Sequence, residues 1–241
     1  MTRPRRRRCA ALAAAAGLVA AMPAAHAAAL VFRVENATHL HLFLADVHGQ
    51  PLRTLRGVAE EVQSSGRRLV FAMNAGIYEP DLRPTGLAVE AGHVLWPLNT
   101  RQAAGNFYAQ PNGVFYVTDA GAAIARTASY AASSPAGVRL ATQSGPILLE
   151  AGAMPASSVR AEPGPTARRL KRNAVCADGG VATLVMVDEA VTLHELARLL
   201  RDEVGCRNAL YLDGAISQVL DARSGRLDEG VPLGPIIGVV D

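Results

Sequence analysis

Residues 191–217 read VTLHELARLLRDEVGCRNALYLDGAIS, and they join a helix to a buried strand that ends at an acid. Thr192 and Glu195 have the spacing of a capping box, and leucines recur at helical intervals until Gly205. The apolar run after that glycine predicts a strand, which leads into Asp213 and two small residues. This order predicts that a packed helix and a buried strand hold a carboxylate at the carboxyl end of the strand.

The rest of the chain is predicted to consist mainly of short strands. Residues 30–36 (LVFRVEN) and 39–47 (HLHLFLADV) alternate or run apolar, which predicts an opening β-hairpin. Residues 54–65 suit an amphipathic helix that ends at Gly66, and residues 86–98 predict a second hairpin. Further strands are predicted at 67–73, 112–118, 138–144, 146–152, 173–189, 208–213 and 236–240. Elements in this order predict a single α+β domain with a mixed, largely antiparallel sheet and a few packed helices.

The first 27 residues have the composition of an export signal. A run of arginines precedes a short alanine-rich apolar stretch at 11–22, and Ala25-His26-Ala27 offers a small-residue cleavage site. We therefore expect a signal peptide at 1–27, a domain at 28–241, and a periplasmic or secreted protein. A twin-arginine signal is a weaker alternative, because residues 9–11 fit that pattern poorly.

Removal of this segment also changes the electrostatics of the chain. Five arginines and no acids would leave, which takes the formal net charge from +3 to about −2. Because the basic balance belongs to the export signal, we expect no nucleic-acid partner. No later stretch is apolar over a length that predicts a membrane span.

Two cysteines, Cys176 and Cys206, remain in the expected mature protein. An oxidising compartment would allow a disulfide between them, and two buried free thiols on strands are the equal alternative. Residues 154–169 (MPASSVRAEPGPTARR) are rich in Pro, Ser and Ala, which predicts a mobile loop beside the fold rather than a domain boundary.

Five stretches share a design in which an apolar strand adjoins small and hydrogen-bonding residues. Glycine at such points lets backbone approach a ligand closely or satisfies a positive φ. Each stretch alone is more typical of an ordinary turn, but five of them favour convergence on a cleft. They are FAMNAGIYEP (71–80), QPNGVFYV (110–117), ATQSGPILL (141–149), RRLKRNAV (168–175) and YLDGAIS (211–217).

The same stretches, in order and approximate spacing, resemble the phosphodiester glycosidase domain family, which includes the mammalian uncovering enzyme. The resemblance covers roughly residues 30–240 and is closest to the small exported bacterial branch of that family. It implies a hydrolase that cleaves the bond between the anomeric carbon of a sugar and a phosphate oxygen. The implied partner is a sugar phosphate or a phosphodiester-linked glycan of the envelope or extracellular space.

Residue by residue, the resemblance implies a set of site positions. The final element of the family, Leu-Asp-Gly-Gly-Gly-Ser, matches residues 212–217, where Ala215 and Ile216 replace two glycines. A side chain at Ile216 is expected to narrow the space for a ligand. The matching positions place Asp213 and Arg172 as catalytic candidates, and Glu79 joins them as the other acid near a motif. The substrate-binding candidates are Asn74, Gly76, Tyr78, Asn112, Gly113, Ser144, Gly145, Asn173, Gly214 and Ser217.

The chemistry of these side chains suggests their roles. Because a phosphomonoester anion leaves readily, one carboxylate and one cation could suffice where most glycosidases use two carboxylates. We expect Asp213 to act as base or nucleophile at the anomeric carbon, and Arg172 to bind the phosphate through its forked donors. Glu79 could serve as an acid or hold a sugar hydroxyl.

The remaining positions would bind the substrate, and each catalytic role has a structural alternative. The amides and hydroxyl of the set are expected to orient substrate oxygens, and Tyr78 or Phe107 to stack on a sugar face. Arg172 follows Arg168, Arg169 and Lys171, so it could instead belong to a solvated charge run. Asp213 could instead satisfy backbone donors at a turn.

Two other functions and a metal site stay open at this stage. A phosphodiesterase would cut phosphorus from oxygen, and a non-catalytic carbohydrate-binding module would retain the cleft with an altered final motif. No cofactor is expected, and the histidines lack tight ligand spacing; His39 and His41 alternate as surface residues of an edge strand do. Three carboxylates, Asp178, Asp188 and Asp213, could support a divalent cation near phosphate, although their spacing does not require one.

Overall fold

The computed structural model describes residues 28–156 and 168–241. The predicted signal peptide and most of the predicted loop at 154–169 lie outside the described residues. In chain order the strands are β1 (Ala29–Val34), β2 (Leu40–Phe43), β3 (Leu69–Asn74), β4 (Ala88–Glu90), β5 (His93–Trp96), β6 (Gly113–Thr118), β7 (Gly121–Arg126), β8 (Leu140–Ser144), β9 (Ile147–Leu149), β10 (Leu170–Asp178), β11 (Val181–Val191), β12 (Ala209–Tyr211), β13 (Val219–Asp221), β14 (Arg226–Leu227) and β15 (Ile236–Val240). The α-helices that lie wholly within these ranges are α1 (Leu55–Ser64), α2 (Thr127–Ser133) and α3 (Leu193–Asp202).

These strands form three five-stranded antiparallel sheets within the described ranges. The strand orders are β1-β11-β10-β12-β9 in the first sheet, β14-β13-β3-β15-β2 in the second, and β5-β4-β8-β6-β7 in the third. One buried apolar cluster draws side chains from all three sheets, including Phe71, Phe115 and Leu184. Because the sheets share this core, the described chain forms a single α+β domain, which confirms the predicted fold class.

Both predicted helices are confirmed, and their caps explain where they begin. The Thr54 side chain accepts a hydrogen bond from Gly57 N at the start of α1. At α3 the capping box forms in full, with Thr192 and Glu195 bonding each other's backbone. Leu196 of α3 packs on the outer face of the first sheet, so burial of the apolar stripe adds to the effect of the cap.

A disulfide joins Cys176 in β10 to Cys206, which follows α3. Their Cα atoms lie 5.9 Å apart, which is within the usual range for a bonded pair. Of the two alternatives from the sequence, the structure therefore contains the bridge. It fixes the end of α3 against the sheet on which β12 lies.

One predicted strand pairing is wrong. β1 and β2 do not form a hairpin, since β1 pairs with β11 and β2 pairs with β15 in a different sheet. A 3₁₀ turn at Ala37–His39 redirects the chain between them. Alternation along a strand predicts which face is buried but not which strand lies beside it. β2 is an edge strand, as predicted, although only His41 lies in it and His39 ends the preceding 3₁₀ turn.

Several elements carried no usable signal in the sequence. β7, with the sequence GAAIAR, is rich in residues that are depleted in strands, and the short α2 has no side-chain cap. β13 and β14 contribute three and two residues, which is too few for a periodic pattern. No helix within the described ranges is long and apolar enough to cross a bilayer.

Candidate functional site

The backbone that carries Asp213 is held by buried amide side chains. Asn173 Oδ1 accepts from Asp213 N at 3.1 Å, and Asn74 Nδ2 donates to Asp213 O at 2.7 Å. Asn173 Nδ2 in turn donates to Asn74 O at 2.7 Å, and Ser144 Oγ donates to Leu212 O at 3.0 Å. Because an unpaired buried polar group is costly, these bonds fix the backbone on both sides of the Asp213 carboxyl group.

Each of the three anchoring residues comes from a different sheet. Asn173 lies in β10, Asn74 is the last residue of β3, and Ser144 is the last residue of β8. Asp213 therefore lies where the three sheets meet. All five polar stretches contribute to this region, since Asn112 is bonded to Gln143, the residue next to Ser144. The five stretches therefore meet as predicted, but only the last three of them line the cavity beside Arg172.

The anchoring residues differ from their expected role. Asn74, Asn173 and Ser144 are buried, and their side chains bond protein backbone in this conformation. Asn112 is also buried, with Nδ2 donating to Phe107 O at 2.6 Å. For Asn74, Asn173 and Ser144 the contacts support a role in positioning Asp213 rather than in touching a sugar, whereas Asn112 also lines a cavity with Asn99 and Tyr108.

The Asp213 carboxyl group is half-buried, and burial raises its pKa above the ordinary value for Asp. The N–H of Ala215 and the Arg172 guanidinium oppose that rise. Oδ1 accepts from Ala215 N at 3.3 Å, which is the turn-capping bond of the structural alternative. Oδ2 has no hydrogen-bond partner among the described residues. Capping of the turn therefore uses only one of the two carboxylate oxygens.

Arg172 is buried and is not part of a solvated charge run. Its Nε donates to Val191 O at 3.1 Å, one terminal nitrogen to the Tyr211 hydroxyl at 2.9 Å, and the other to Arg168 O at 2.7 Å. A guanidinium has five N–H donors. The described contacts use three of them, which leaves one donor on each terminal nitrogen for a ligand.

A small cavity of about 100 Å³ lies against this guanidinium. Its lining includes Arg168, Arg172, Tyr211, Gly145 and Ala215. A volume of this size has room for a phosphate group. Asp213 is not itself one of the lining residues, but Ala215, whose N–H donates to the Asp213 carboxylate, is one of them.

Tyr211 is a candidate functional residue that the sequence reasoning missed. Its hydroxyl oxygen accepts from Gly214 N at 2.6 Å and from Arg172, and its ring lies under the guanidinium, 5.3 Å from it. Burial raises the pKa of Tyr211, so the hydroxyl keeps its proton at neutral pH. With both acceptor positions in use, that proton is available to a ligand in the cavity. The feature of the sequence that could have identified Tyr211 is its position two residues before Asp213.

The predicted glycines lie where protein atoms crowd the backbone. A Cβ at Gly76 would lie 2.4 Å from Gln143 O, and one at Gly145 would lie 2.6 Å from Ala109 O. Gly113 and Gly214 are crowded in the same way, by Ile147 and Lys171. Close packing within the protein thus accounts for these glycines, and of the four only Gly145 also lines the cavity.

Glu79 and the two aromatic candidates lie apart from the small cavity. Glu79 lines a different cavity, together with Trp96 and Tyr108. Phe107 is buried and meets Tyr108 edge-on, so it has no free face for a sugar. The Tyr78 hydroxyl donates to Pro232 O at 2.8 Å, and burial together with Asp213 raises its pKa to about 12.

The last motif needs one correction. Ile216 does not narrow the small cavity, because its side chain packs against the apolar cluster beneath α1. Ala215 is the residue of the altered pair that lines the cavity. Ser217 donates to Gly214 O at 3.2 Å, which closes the turn between them. Replacement of the two family glycines by Ala215 and Ile216 therefore adds only the Ala215 methyl group to the cavity wall.

The carboxylates considered for a cation do not meet. Asp178 accepts from the Arg207 and Asn208 backbone, and Asp188 pairs with Arg226 at 2.6 Å. In the parts of the chain that the structure describes, no three His, Cys, Asp or Glu side chains are grouped to hold a metal ion.

Replacement of Asn173 tests the positioning role. Asn173→Ala leaves Asp213 N and Asn74 O unpaired, which should cost about 2–4 kcal/mol of unfolding free energy. If the amide positions Asp213, kcat per folded molecule should also fall about 10–100-fold with little change in KM. Chemical denaturation and steady-state kinetics measure the two effects.

Asn208→Ala is the matched control for this replacement. Asn208 immediately precedes β12, and its amide side chain bonds Asp178, the last residue of β10, and Ala151 N. Its loss should lower stability without lowering kcat per folded molecule. A folded Asn173→Ala protein with unchanged kcat would contradict the positioning role.

Comparison with known proteins agrees with this fold. Residues 67–238 match the family described as phosphodiester glycosidase. The uncharacterized protein YigE of Escherichia coli K12 is 29% identical over 178 residues, which span 74% of this chain and 68% of that protein. The catalytic domain of zebrafish N-acetylglucosamine-1-phosphodiester alpha-N-acetylglucosaminidase, auto-inhibited by its pro-peptide, superposes with a TM-score of 0.61 at 15% identity. That match covers 89% of this chain and 83% of the zebrafish domain, and at this identity it shows the fold alone.

Proposed function

The chain belongs to the phosphodiester glycosidase family, and we propose that it hydrolyses the bond between a sugar's anomeric carbon and the phosphate oxygen of a glycosyl phosphodiester. Family membership supports a glycosidase-like hydrolase. The finer proposal is carried by one observation: a carboxylate whose backbone is fixed from three sheets is bonded to Ala215, which lines a small cavity together with a buried arginine.

The contacts suggest how the phosphate is held. The two uncommitted N–H groups of Arg172, one on each terminal nitrogen, can donate to two phosphate oxygens. The Tyr211 hydroxyl can donate to another. Such fixed donors stabilise the negative charge that gathers on the phosphate as the bond breaks.

Asp213 supplies the chemistry at the anomeric carbon, as base or as nucleophile. In the base route a water oxygen bonds to the anomeric carbon while its proton passes to Asp213. The bonding electron pair leaves with the phosphate, which needs no general acid. Because Glu79 lines another cavity, the proposal gives it a role in holding a sugar hydroxyl there.

We also propose that the protein works in the periplasm or outside the cell, on an envelope or extracellular glycan. The arginine-rich and alanine-rich residues 1–27 support export. The Cys176–Cys206 disulfide supports the same location, since such bridges persist mainly in oxidising compartments.

Hydrolysis of a nucleotide sugar in heavy-oxygen water tests which bond breaks. Cleavage at the anomeric carbon places the label in the released sugar, as mass spectrometry will show. Label in the phosphate would reject the glycosidase proposal and favour a phosphodiesterase. Binding of the sugar phosphate without turnover would instead favour a carbohydrate-binding module. The Asp213→Asn protein serves as the control for contaminating hydrolases.

A further inference from the structure

Two larger cavities lie on the other side of a short turn from the Arg172 cavity. Their volumes are about 270 and 350 Å³, and they share Asn99, Thr100, Arg101 and Tyr108, so we call them together the outer groove. The turn is the 3₁₀ segment Asn106–Tyr108. Asn106 lines the Arg172 cavity and Tyr108 lines the outer groove, so the turn is the wall between them.

The outer groove combines aromatic, amide and cationic side chains. Trp96 and Tyr108 supply ring surface, and Asn99 and Gln102 supply amides. Aromatic surface with a few polar groups is the usual lining of a ligand cleft. This combination suits a saccharide.

One unpaired cation of the groove favours an anionic ligand. Arg83, Arg101 and Arg126 line the groove, with the single acid Glu79. Arg83 lies 5.5 Å above the Trp96 ring and pairs with Asp81 at 3.3 Å, and Arg126 is paired with Glu150. The Arg101 guanidinium lines both cavities and has no ion-pair or hydrogen-bond partner among the described residues.

The floor of the groove is already formed. Gln143 is buried, and its Oε1 accepts from Asn99 N at 2.9 Å while its Nε2 donates to Asn99 O at 2.7 Å. The same Nε2 donates to Asn112 Oδ1 at 2.8 Å. One buried amide therefore ties residue 99 to the strand that carries Ser144, so a ligand would meet an ordered surface.

Size separates the two sites. The Arg172 cavity has room for a phosphate group, whereas pockets for drug-sized ligands range from about 300 to 1,000 Å³. The larger of the two cavities of the outer groove, at about 350 Å³, reaches that range. We propose that the outer groove binds further sugar units of an anionic, phosphodiester-linked glycan chain. This inference rests on the proposed function and names its substrate as a chain rather than an isolated sugar phosphate.

The groove contains its own reporter, since Trp96 is the single tryptophan of the sequence. A short phosphodiester-linked oligosaccharide added to the Asp213→Asn protein should shift or quench Trp96 fluorescence without being consumed. A neutral dextran of similar length should bind at least about tenfold more weakly, because it cannot pair with the arginines. Equal binding of dextran, or no fluorescence change at saturating oligosaccharide, would overturn the proposal.

Removal of the unpaired guanidinium tests the charge. Arg101→Ala should weaken oligosaccharide binding about tenfold, the loss of one charge-assisted hydrogen bond. It should also lower kcat/KM for the oligosaccharide relative to that for a nucleotide sugar by a similar factor. Arg33→Ala, which removes an exposed arginine of β1 outside either cavity, is the control and should change neither value.

The outcomes separate the two proposals. Hydrolysis of both substrates with an unchanged ratio in Arg101→Ala would overturn the groove and leave the proposed function standing. Fluorescence-detected binding without hydrolysis of either substrate by the wild-type protein would overturn the proposed function and support the groove.

Discussion

The Asp213→Asn protein is expected to lose about two to four orders of magnitude in kcat, the usual effect of removing a general base or key electrostatic group. Its melting temperature at neutral pH should stay the same or rise. Burial raises the pKa of Asp213, so ionisation of this carboxyl group is less favourable in the folded chain. The asparagine side chain does not ionise, so it avoids this cost, and its oxygen can still accept a hydrogen bond from Ala215 N.

The pH dependence of both quantities follows from the direction of that shift. A carboxyl group whose pKa is raised on folding stabilises the fold fully below its unfolded pKa. That contribution is lost as pH rises through the folded pKa. The gain in melting temperature from Asp213→Asn should therefore be larger at neutral pH than in acid. If the ionised form is the base, wild-type kcat/KM should rise with pH through a pKa above the ordinary value for Asp.

Rates on a nucleotide sugar and thermal melts at several pH values measure these effects. Asp119→Asn is the matched control. It makes the same chemical change away from the site, at a side chain that is 96% exposed. It should leave kcat unchanged. Near wild-type rates in a folded Asp213→Asn protein would rule out the catalytic assignment.

The parts of the fold that the sequence predicted are those with local causes. The capping box at Thr192 and Glu195 and the helix at 54–65 depend on neighbours within a few residues. The partner of β1 depends on β11, which lies about 150 residues later in the chain, and nothing in either strand specifies that pairing alone. Local chemistry therefore predicted the elements and not the sheet order.

The same division applies to the site. The position of Asp213 followed from the order of helix and strand, and it was predicted. The roles of Asn74 and Asn173 depend on each other across two sheets, so residue type alone suggested ligand contacts where the structure has anchoring bonds. Ile216 and Ala215 are adjacent, and only the turn geometry shows which of them faces the cavity.

Arg172→Ala is expected to damage both activity and stability. The loss leaves the Val191 and Arg168 carbonyls and the Tyr211 hydroxyl without a charged donor, which should cost about 3–5 kcal/mol of unfolding free energy. Activity should fall about 10²–10³-fold, as when a fixed donor to developing charge is removed. Urea denaturation and kinetics measure these losses, but a destabilised enzyme alone would not show that Arg172 holds phosphate.

Two further measurements separate the phosphate role from the structural one. Arg172→Lys keeps the positive charge but not the planar fork, so it cannot make three protein bonds and two ligand bonds together. In the folded Lys protein, inorganic phosphate should inhibit about tenfold or more weakly than in the wild type. Added guanidinium should partly restore the rate of Arg172→Ala. Unchanged phosphate inhibition with a lowered melting temperature would give Arg172 a structural role, in which it holds Tyr211 and the 168–172 backbone. Other residues would then have to donate to the phosphate.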